Sequence, residues 1–315
     1  MPSAAPSPAL PDLPRSIAAC RSIARASRSS FLWGMRLTPE PRRTAMFAVY
    51  AWTRAADDLV DNLPVPPRPA DLDRAGQQLG EFRLRTREVI DPAIPPPDDA
   101  GDLWPAFAWA CRSFPIKAAW LEEFLDGMAE DLRHTGYSTE ADVDRYCRRA
   151  ASMVGRLCIA VWGLSKKGQR DPGGAYLKAD RLGLAFQRTN ILRDFAEDYD
   201  RVPRRVYIAH EVFDRFGLNP ELLRKSETNP RAEVLMRHAA AIAREHFDAA
   251  AGLEDLIAPD CRPVLRTLTR TYSELLSIIE RFPSRPLRTR VRLPLHRKLI
   301  IAAGEYFARR SEPSA

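Results

Sequence analysis

Prolines arrive in clusters along this chain while glycines are few, 27 against 15, and no other feature narrows the fold as much. A proline removes a backbone donor, collides with the turn before it and biases its predecessor away from helix, so a cluster is a hard stop. Between the stops the apolar spacing is helical. The segment Pro39 to Asp61 carries Ala45, Met46, Val49, Trp52, Ala56, Leu59 and Val60 at intervals near three and four, which predicts a helix with one buried face. Similar spacing predicts helices over Asp71 to Val89, Asp102 to Arg112, Pro115 to Arg133, Thr139 to Leu164, Gly173 to Tyr199, Arg231 to Leu256, Arg262 to Arg281 and Leu293 to Ala308. Several starts carry caps or first-turn prolines, among them Thr139, Pro115 and Pro263. The stretches Asn62 to Pro69 and Asp91 to Asp99 read as linkers too short to separate a pair of domains. No stretch alternates as a strand does and none repeats at a fixed period, so the expected fold is all-α, a single helical domain over 15–310. Residues 1–14, rich in Pro, Ala and Ser, are expected to be a disordered arm, and 311–315 a disordered tail.

Hydrophobic residues make up 45% of the chain, enough for a core, yet no run approaches the roughly 18 apolar residues of a membrane span. The scattered Cys20, Cys111, Cys147, Cys158 and Cys261 form no Cys-x-x-Cys pair and stand near no His cluster, so neither disulfides nor zinc are expected and a cytoplasmic setting fits. His134, His210, His238, His246 and His296 lack ligand spacing. The formal charge of +7 is dispersed with acids between the basic residues, and no nucleic-acid partner is expected. The densest basic stretch, Arg281 to Lys298, is broken by Pro283, Pro286 and Pro294. It reads first as a solvated surface loop and second as a patch for diphosphate or lipid headgroups.

Chemistry concentrates in two segments. On a helix, Asp57 and Asp61 stand one turn apart and offset by only about 40°, so their carboxylates converge and repel. Arg54 shares that face and can offset one of them or grip a phosphate with both guanidinium arms. Alone, the pattern is equally a solvated helix end. A second segment, Phe-Gln-Arg-Thr-Asn-Ile-Leu-Arg-Asp-Phe-Ala-Glu-Asp from Phe186, lowers the weight of that alternative by placing Asn190, Asp194 and Asp198 at i, i+4 and i+8, with Gln187 a turn earlier. Amide side chains among apolar neighbours are costly to bury unless something satisfies them. Carboxylate and amide oxygens are hard donors suited to magnesium, which is often shared with substrate phosphates. Two such stripes face to face would hold a metal–diphosphate cluster from both sides.

With these residues in place, the chain resembles the synthases that join two prenyl diphosphates head to head, the squalene/phytoene synthase family. The likeness rests on Ser29-Ser30-Phe31 followed by Met35-Arg36-Leu37, on Asp57 to Asp61, and on Gly127-Met128-Ala129-Glu130-Asp131-Leu132. It continues through Tyr146-Cys147 leading to Val154-Gly155, Leu182-Gly183 running into Gln187 to Asp194, and Arg205-Val206-Tyr207. The resemblance implies a single-domain isoprenoid synthase fold, a helical bundle around a central channel with both acidic helices at its mouth and Mg2+ bridging them to diphosphate. Carried over by position, Asp57, Asp61, Asn190, Asp194 and Asp198 are the implied metal ligands. Arg54, Gln187, Arg193, Arg205 and Tyr207 are the implied diphosphate contacts. Tyr146 matches a family tyrosine near the first ionisation, with the departing diphosphate as the base. A carbocation beside water is quenched, so the remaining channel must be apolar and aromatic. Phe31, Trp33, Tyr50 and Tyr272 are candidates for lining it, plain core being the alternative. Glu130 and Asp131 are expected to support structure beside the tunnel. Ala150-Ala151-Ser152 departs from the family's usual Val-Ala-Gly and bears on channel width.

The implied reaction ionises one prenyl diphosphate, lets the second substrate's double bond attack the allylic cation, and closes a cyclopropane by proton loss. The opening Ser29 to Leu37 resembles bacterial presqualene diphosphate synthases, and no C-terminal stretch reads as the membrane helix of eukaryotic squalene synthases. The first expectation is therefore condensation of two farnesyl diphosphates to presqualene diphosphate, with onward conversion to squalene open. Phytoene synthase acting on two geranylgeranyl diphosphates is the alternative, because one bulky residue at the channel floor decides chain length and spacing does not reveal it. No dinucleotide fingerprint is present, although squalene synthases bind NADPH without one, so NADPH is allowed but not indicated. A non-catalytic assembly factor on the same fold is a third reading, weakened because such relatives lose acidic ligands and both stripes here are complete. The expected partners are prenyl diphosphate substrates, with peripheral membrane contact through the basic surface allowed; nothing in the sequence sets an oligomeric state.

Overall fold

A computed structural model describes residues 13–27, 31–94, 102–134, 136–225 and 229–311, without the side chains of Trp33 and residues 306–311. Ser29 and Ser30 of the first motif, and most of the expected arm and tail, lie outside the described residues. The helices are α1 (Leu13–Ala26), α2 (Phe31–Leu37), α3 (Arg42–Asp61), α4 (Pro69–Ile90), α5 (Trp104–Ser113), α6 (Ala118–Leu132), α7 (Glu140–Cys147) and α8 (Met153–Trp162). They continue as α9 (Lys166–Arg170), α10 (Pro172–Asp200), α11 (His210–Phe216), α12 (Pro220–Lys225), α13 (Pro230–Ala249), α14 (Leu253–Leu256), α15 (Arg262–Arg281) and α16 (Leu295–Ser311). Among the described residues there is no strand, only an isolated bridge between Leu164 and Ile257. The all-α expectation holds.

At the ends the expected boundaries shift. Leu13 and Pro14, expected in the arm, already belong to α1, where a first-turn proline loses no hydrogen bond. Ser311, expected in the tail, closes α16. The predicted Arg231 to Leu256 helix is two helices separated by a turn. The short helices α2, α9, α11 and α12 escape a periodicity argument because so few turns carry no repeat.

The long helix α10 is buried on nearly every side and packs against α8, α13 and α15, while α3 packs against α1, α5, α6 and α8. Thus α8 braces both long acidic helices. The single helix expected over Thr139 to Leu164 is instead interrupted by a π-helical turn, Arg148–Ser152, inside the stretch that departs from the family wording. Two motif glycines make room for that turn. A Cβ on Gly183 of α10 would fall 2.5 Å from Ser152 Cα, and one on Gly127 of α6 would fall 2.9 Å from Arg149 Cβ. Away from this junction the core is aromatic. Trp52 is fully buried, stacks on Phe107 at 5.1 Å between centroids, and donates its indole N–H to Thr86 Oγ1 at 3.0 Å.

Candidate active site

The last turn of α3 presents Asp57 and Asp61, and the last turns of α10 present Asn190, Asp194 and Asp198. All five line one cavity of about 880 Å3. Asp57, Asp61 and Asp194 each pair with an arginine. Arg54 Nη1 donates to Asp57 Oδ2 at 2.9 Å and its other arm pairs with Asp58. Asp61 Oδ1 accepts from Arg201 Nη1 at 2.9 Å and from Arg205 Nη1 at 2.8 Å, both from the segment after α10. Asp194 accepts from Arg193 Nε at 2.8 Å and from Arg290 Nε at 3.1 Å, and Arg290 Nη1 reaches Glu197 at 2.9 Å.

Even so, the acids crowd one another. Burial first, and the like charge of Asp61 second, push the Asp57 carboxyl up to about 7. Water in the cavity still reaches 38% of that side chain, so the group is ringed by protein rather than sealed in it. Asp198 is likewise pushed up to about 7, by burial and then by Asp194, with Asp61 adding to the rise. The acids of α3 and α10 therefore feel one another across the cavity.

Asp131 of α6 stands at the back wall. Tyr146 and Tyr207 donate their hydroxyls to its two oxygens, both at 3.0 Å, and their rings stack at 5.0 Å. Burial raises Asp131 to about 6 against the opposing pull of Arg205 and the two phenols. Burial and then the charge of Asp131 hold both tyrosines well above their ordinary pKa, so at neutral pH they are hydrogen-bond donors.

Beneath the polar cavity lies an apolar one of about 300 Å3, and Tyr50, Arg54, Asp57, Asp131, Gln187 and Asn190 are among the residues that border both. Its walls include Phe124, Met128, Val154, Cys158, Phe186 and Leu268. Phe186 and Tyr272 stack face to face at 4.2 Å near the border. Tyr50 is tied by its hydroxyl to Ser27 Oγ at 2.8 Å.

Of the residues singled out from the sequence, Asp57, Asp61, Tyr146, Asp194, Asp198, Tyr50, Arg54, Gln187, Asn190, Arg193, Arg205, Tyr207 and Tyr272 all line the polar cavity, and Phe31 lines the apolar one. The Trp33 side chain lies outside the described residues. Glu130 faces away and pairs with Arg149 at 2.9 Å, a supporting place, whereas Asp131 borders both cavities. Sequence reasoning also missed Arg201 and Arg290. The solvated-loop reading of Arg281 to Lys298 is corrected: Arg290, Val291, Arg292, Leu293 and Lys298 wall the polar cavity, and the Val291 N–H donates to the Arg193 carbonyl at 3.2 Å. Nothing in local spacing signals ion pairs between residues so far apart; the second reading, a patch for anions, was the available clue.

Among the described residues no three His, Cys, Asp or Glu side chains converge closely enough to hold a metal ion by themselves. The donors nevertheless fit a hard divalent cation. Asn190 gives its amide N–H to Gln187 Oε1 at 3.2 Å, while its Oδ1 is buried without a partner among the described residues, and an orphaned amide oxygen beside carboxylates is what such a cation satisfies.

Residues 24–297 match the family described as squalene/phytoene synthase. The chain is 31% identical to the 15-cis-phytoene synthase of Synechococcus elongatus over 303 residues, 94% of each chain. It is 29% identical to the phytoene synthase of Mycobacterium bovis over 90% of this chain and 87% of that one. A crystal structure of a dehydrosqualene synthase in complex with ligand superposes with a TM-score of 0.77 at 26% identity, over 95% of this chain and 98% of the other.

Proposed function

Because this chain belongs to the squalene/phytoene synthase family and is thereby a prenyltransferase, we propose that it joins two geranylgeranyl diphosphates head to head and carries the cyclopropyl intermediate on to phytoene. The observation that carries the reading is the pair of adjoining cavities, an acidic and arginine-rich one over an apolar one, sharing a wall. The preference for farnesyl diphosphate taken from Ser29 to Leu37 yields to the alternative, since relatives named as phytoene synthases match almost the whole chain. Farnesyl use is the second reading, supported by the likeness to the dehydrosqualene synthase.

Asp57, Asp61, Asn190, Asp194 and Asp198 would hold divalent cations, Mg2+ by the hardness of the donors. When bound, such cations supply Lewis-acid neutralisation to a departing diphosphate. Arg54, Arg193, Arg201, Arg205 and Arg290 add fixed counter-charge aimed at the same space. Tyr146 and Tyr207, kept protonated, each rest their one hydroxyl proton on Asp131, and would donate to the leaving oxygen only by turning that proton away from the carboxylate. The prenyl tails occupy the apolar well, where few nucleophiles reach the allylic cation, and the stacked faces of Phe186 and Tyr272 attract it without attacking it. The second double bond adds to the cation, and the proton lost on ring closure passes to the released diphosphate. Amphiphilic substrates and basic residues at the mouth also support peripheral membrane contact; among the described residues no helix is long and apolar enough to cross a membrane.

Incubating the protein with each prenyl diphosphate, with and without Mg2+ and NADPH, and identifying products by mass spectrometry tests this directly. Phytoene from geranylgeranyl diphosphate, dependent on Mg2+ and indifferent to NADPH, is the expected result. Product from farnesyl diphosphate alone would reverse the chain length, and no diphosphate release from any substrate would remove the reaction.

A further inference from the structure

Chain length in a synthase of this kind is decided where the apolar well ends, and the packing of α8 on α10 locates that end. The two helices run antiparallel. Gly183 of α10 sits against Ser152, and Gly155, one turn on in α8, sits against Ala179, one turn back in α10. Descending α8 therefore means moving toward the start of α10, away from the acids. Ala179 is the deepest α10 residue to line the well, and the helix rise from Asn190 to Ala179 is about 16 Å. Trp162, the last residue of α8 and about two turns beyond Gly155, also lines the well and by this register lies below the level of Ala179. Side chains lean toward the N-terminus of their helix, so the indole of Trp162 leans up the well from its lower end.

Two observations make that ring a plug. It is 3% exposed, yet among the described residues its indole N–H has no acceptor, so shape rather than a hydrogen bond holds it in place. Behind it the backbone is laced shut: the Ala258 N–H donates to the Gly163 carbonyl at 3.0 Å, the Ser165 N–H donates to the Leu256 carbonyl at 2.9 Å, and Leu164 bridges Ile257. A smaller side chain at 162 would leave space that this laced segment cannot readily close.

We propose that Trp162 is the floor of the apolar well and sets the longest prenyl tail the enzyme accepts. The inference rests on the reading of the protein as a head-to-head prenyltransferase but not on which tail the wild type prefers. The test compares kcat/KM for C15, C20 and C25 prenyl diphosphates, with product masses, in the wild type, Trp162→Phe, Trp162→Leu and Trp162→Ala. In Trp162→Leu and Trp162→Ala the C25/C20 ratio should rise by about tenfold or more, because a few added carbons in an apolar pocket discriminate at that level; Trp162→Phe, which keeps a ring, should hold the wild-type ratio. Should Trp162→Ala fail to fold, Trp162→Leu decides. A C25/C20 ratio within twofold of wild type in a variant of native helicity, or a native-like fold without turnover on any tail, overturns the proposal. Wild-type preference for C15 would revise the substrate named above while the shift in ratio still tests the floor.

Discussion

Arg205 Nη1 lies 2.8 Å from Asp61 Oδ1 and joins residues 144 positions apart, tying the segment after α10 to the last residue of α3 across the cavity mouth. Arg205 is nearly buried, and Arg201 shares the same carboxylate. Each guanidinium also turns its Nη2 to an α3 carbonyl, Arg201 to that of Asp61 at 2.8 Å and Arg205 to that of Val60 at 3.5 Å, so a diphosphate would draw these arms away from α3. Losing one partner of a largely buried pair strands the other, at a cost of about 3–5 kcal/mol when burial is complete and less here, where a third of Asp61 is wet. Arg205→Gln should lower the Tm of the metal-free protein by several degrees and cut kcat/KM at least about a hundredfold. Calorimetry and steady-state diphosphate release check the two effects separately.

Asp57→Asn should separate them. The carboxyl is raised by burial and by Asp61, so its charge opposes folding rather than supporting it, and an isosteric amide removes the repulsion. Turnover should fall by orders of magnitude while the metal-free Tm holds or rises. A Tm several degrees lower, at unchanged activity, would mean that Asp57 is a structural acid.

The same charges predict a pH dependence. Asp57 and Asp198 sit near 7 in the fold against an ordinary value of 3.8. Between about pH 4 and pH 7 the folded protein keeps protons that the unfolded chain has released, so the contribution of these groups to stability is full below pH 4 and is lost as pH rises through 7. The Tm difference between the wild type and an Asp57→Asn/Asp198→Asn double variant should therefore widen in favour of the variant from about pH 5 to pH 8. Cation binding requires the ionised forms, so Mg2+ affinity of the wild type should strengthen over that interval with proton release visible by titration in buffers of different ionisation enthalpy. A flat Mg2+ affinity across the interval would show that these acids are not its ligands.

Asp57 and Asp61, and Asn190, Asp194 and Asp198, are legible because helical spacing alone fixes which side chains share a face. The helices are legible for the same reason wherever they run for several turns. What the spacing cannot carry is long-range pairing: Arg205 with Asp61, Arg290 with Asp194, and Tyr207 with Asp131 lie 76 to 144 residues apart. Nor does it foresee the π turn at Arg148–Ser152, which exists because two other helices yield glycines to it. Asp131 read as a supporting acid because its hydrogen-bond partners, Tyr146 and Tyr207, lie on other elements.

Arg290 offers a test of the wall that the basic stretch builds. Hydrogen bonds between charged groups contribute about 1.5–3 kcal/mol each, so Arg290→Gln should raise KM for the prenyl diphosphate about tenfold or more, with a smaller change in kcat, if the guanidinium serves binding. Unchanged KM would reduce Arg290 to a clamp on Asp194 and Glu197.

The junction between the π turn and α10 makes the last prediction one of sign. At Gly183 a methyl group would meet Ser152 Cα at 2.5 Å, Ser152 N at 2.7 Å and Ser152 Oγ at 2.9 Å. Two of these atoms are backbone, so the helices must move apart, and overpacking of that kind costs about 1–3 kcal/mol. Gly76, exposed on α4, meets nothing within 4 Å, and there alanine should gain up to about 1 kcal/mol from helix propensity alone. Gly183→Ala should therefore lower Tm by several degrees and, because Gly183 also lines the apolar well, lower turnover, while Gly76→Ala raises Tm slightly and leaves turnover as it was. The two melting curves, run side by side, test whether the close approach of α10 to the π turn is what requires glycine; equal shifts in the two variants would mean that it is not.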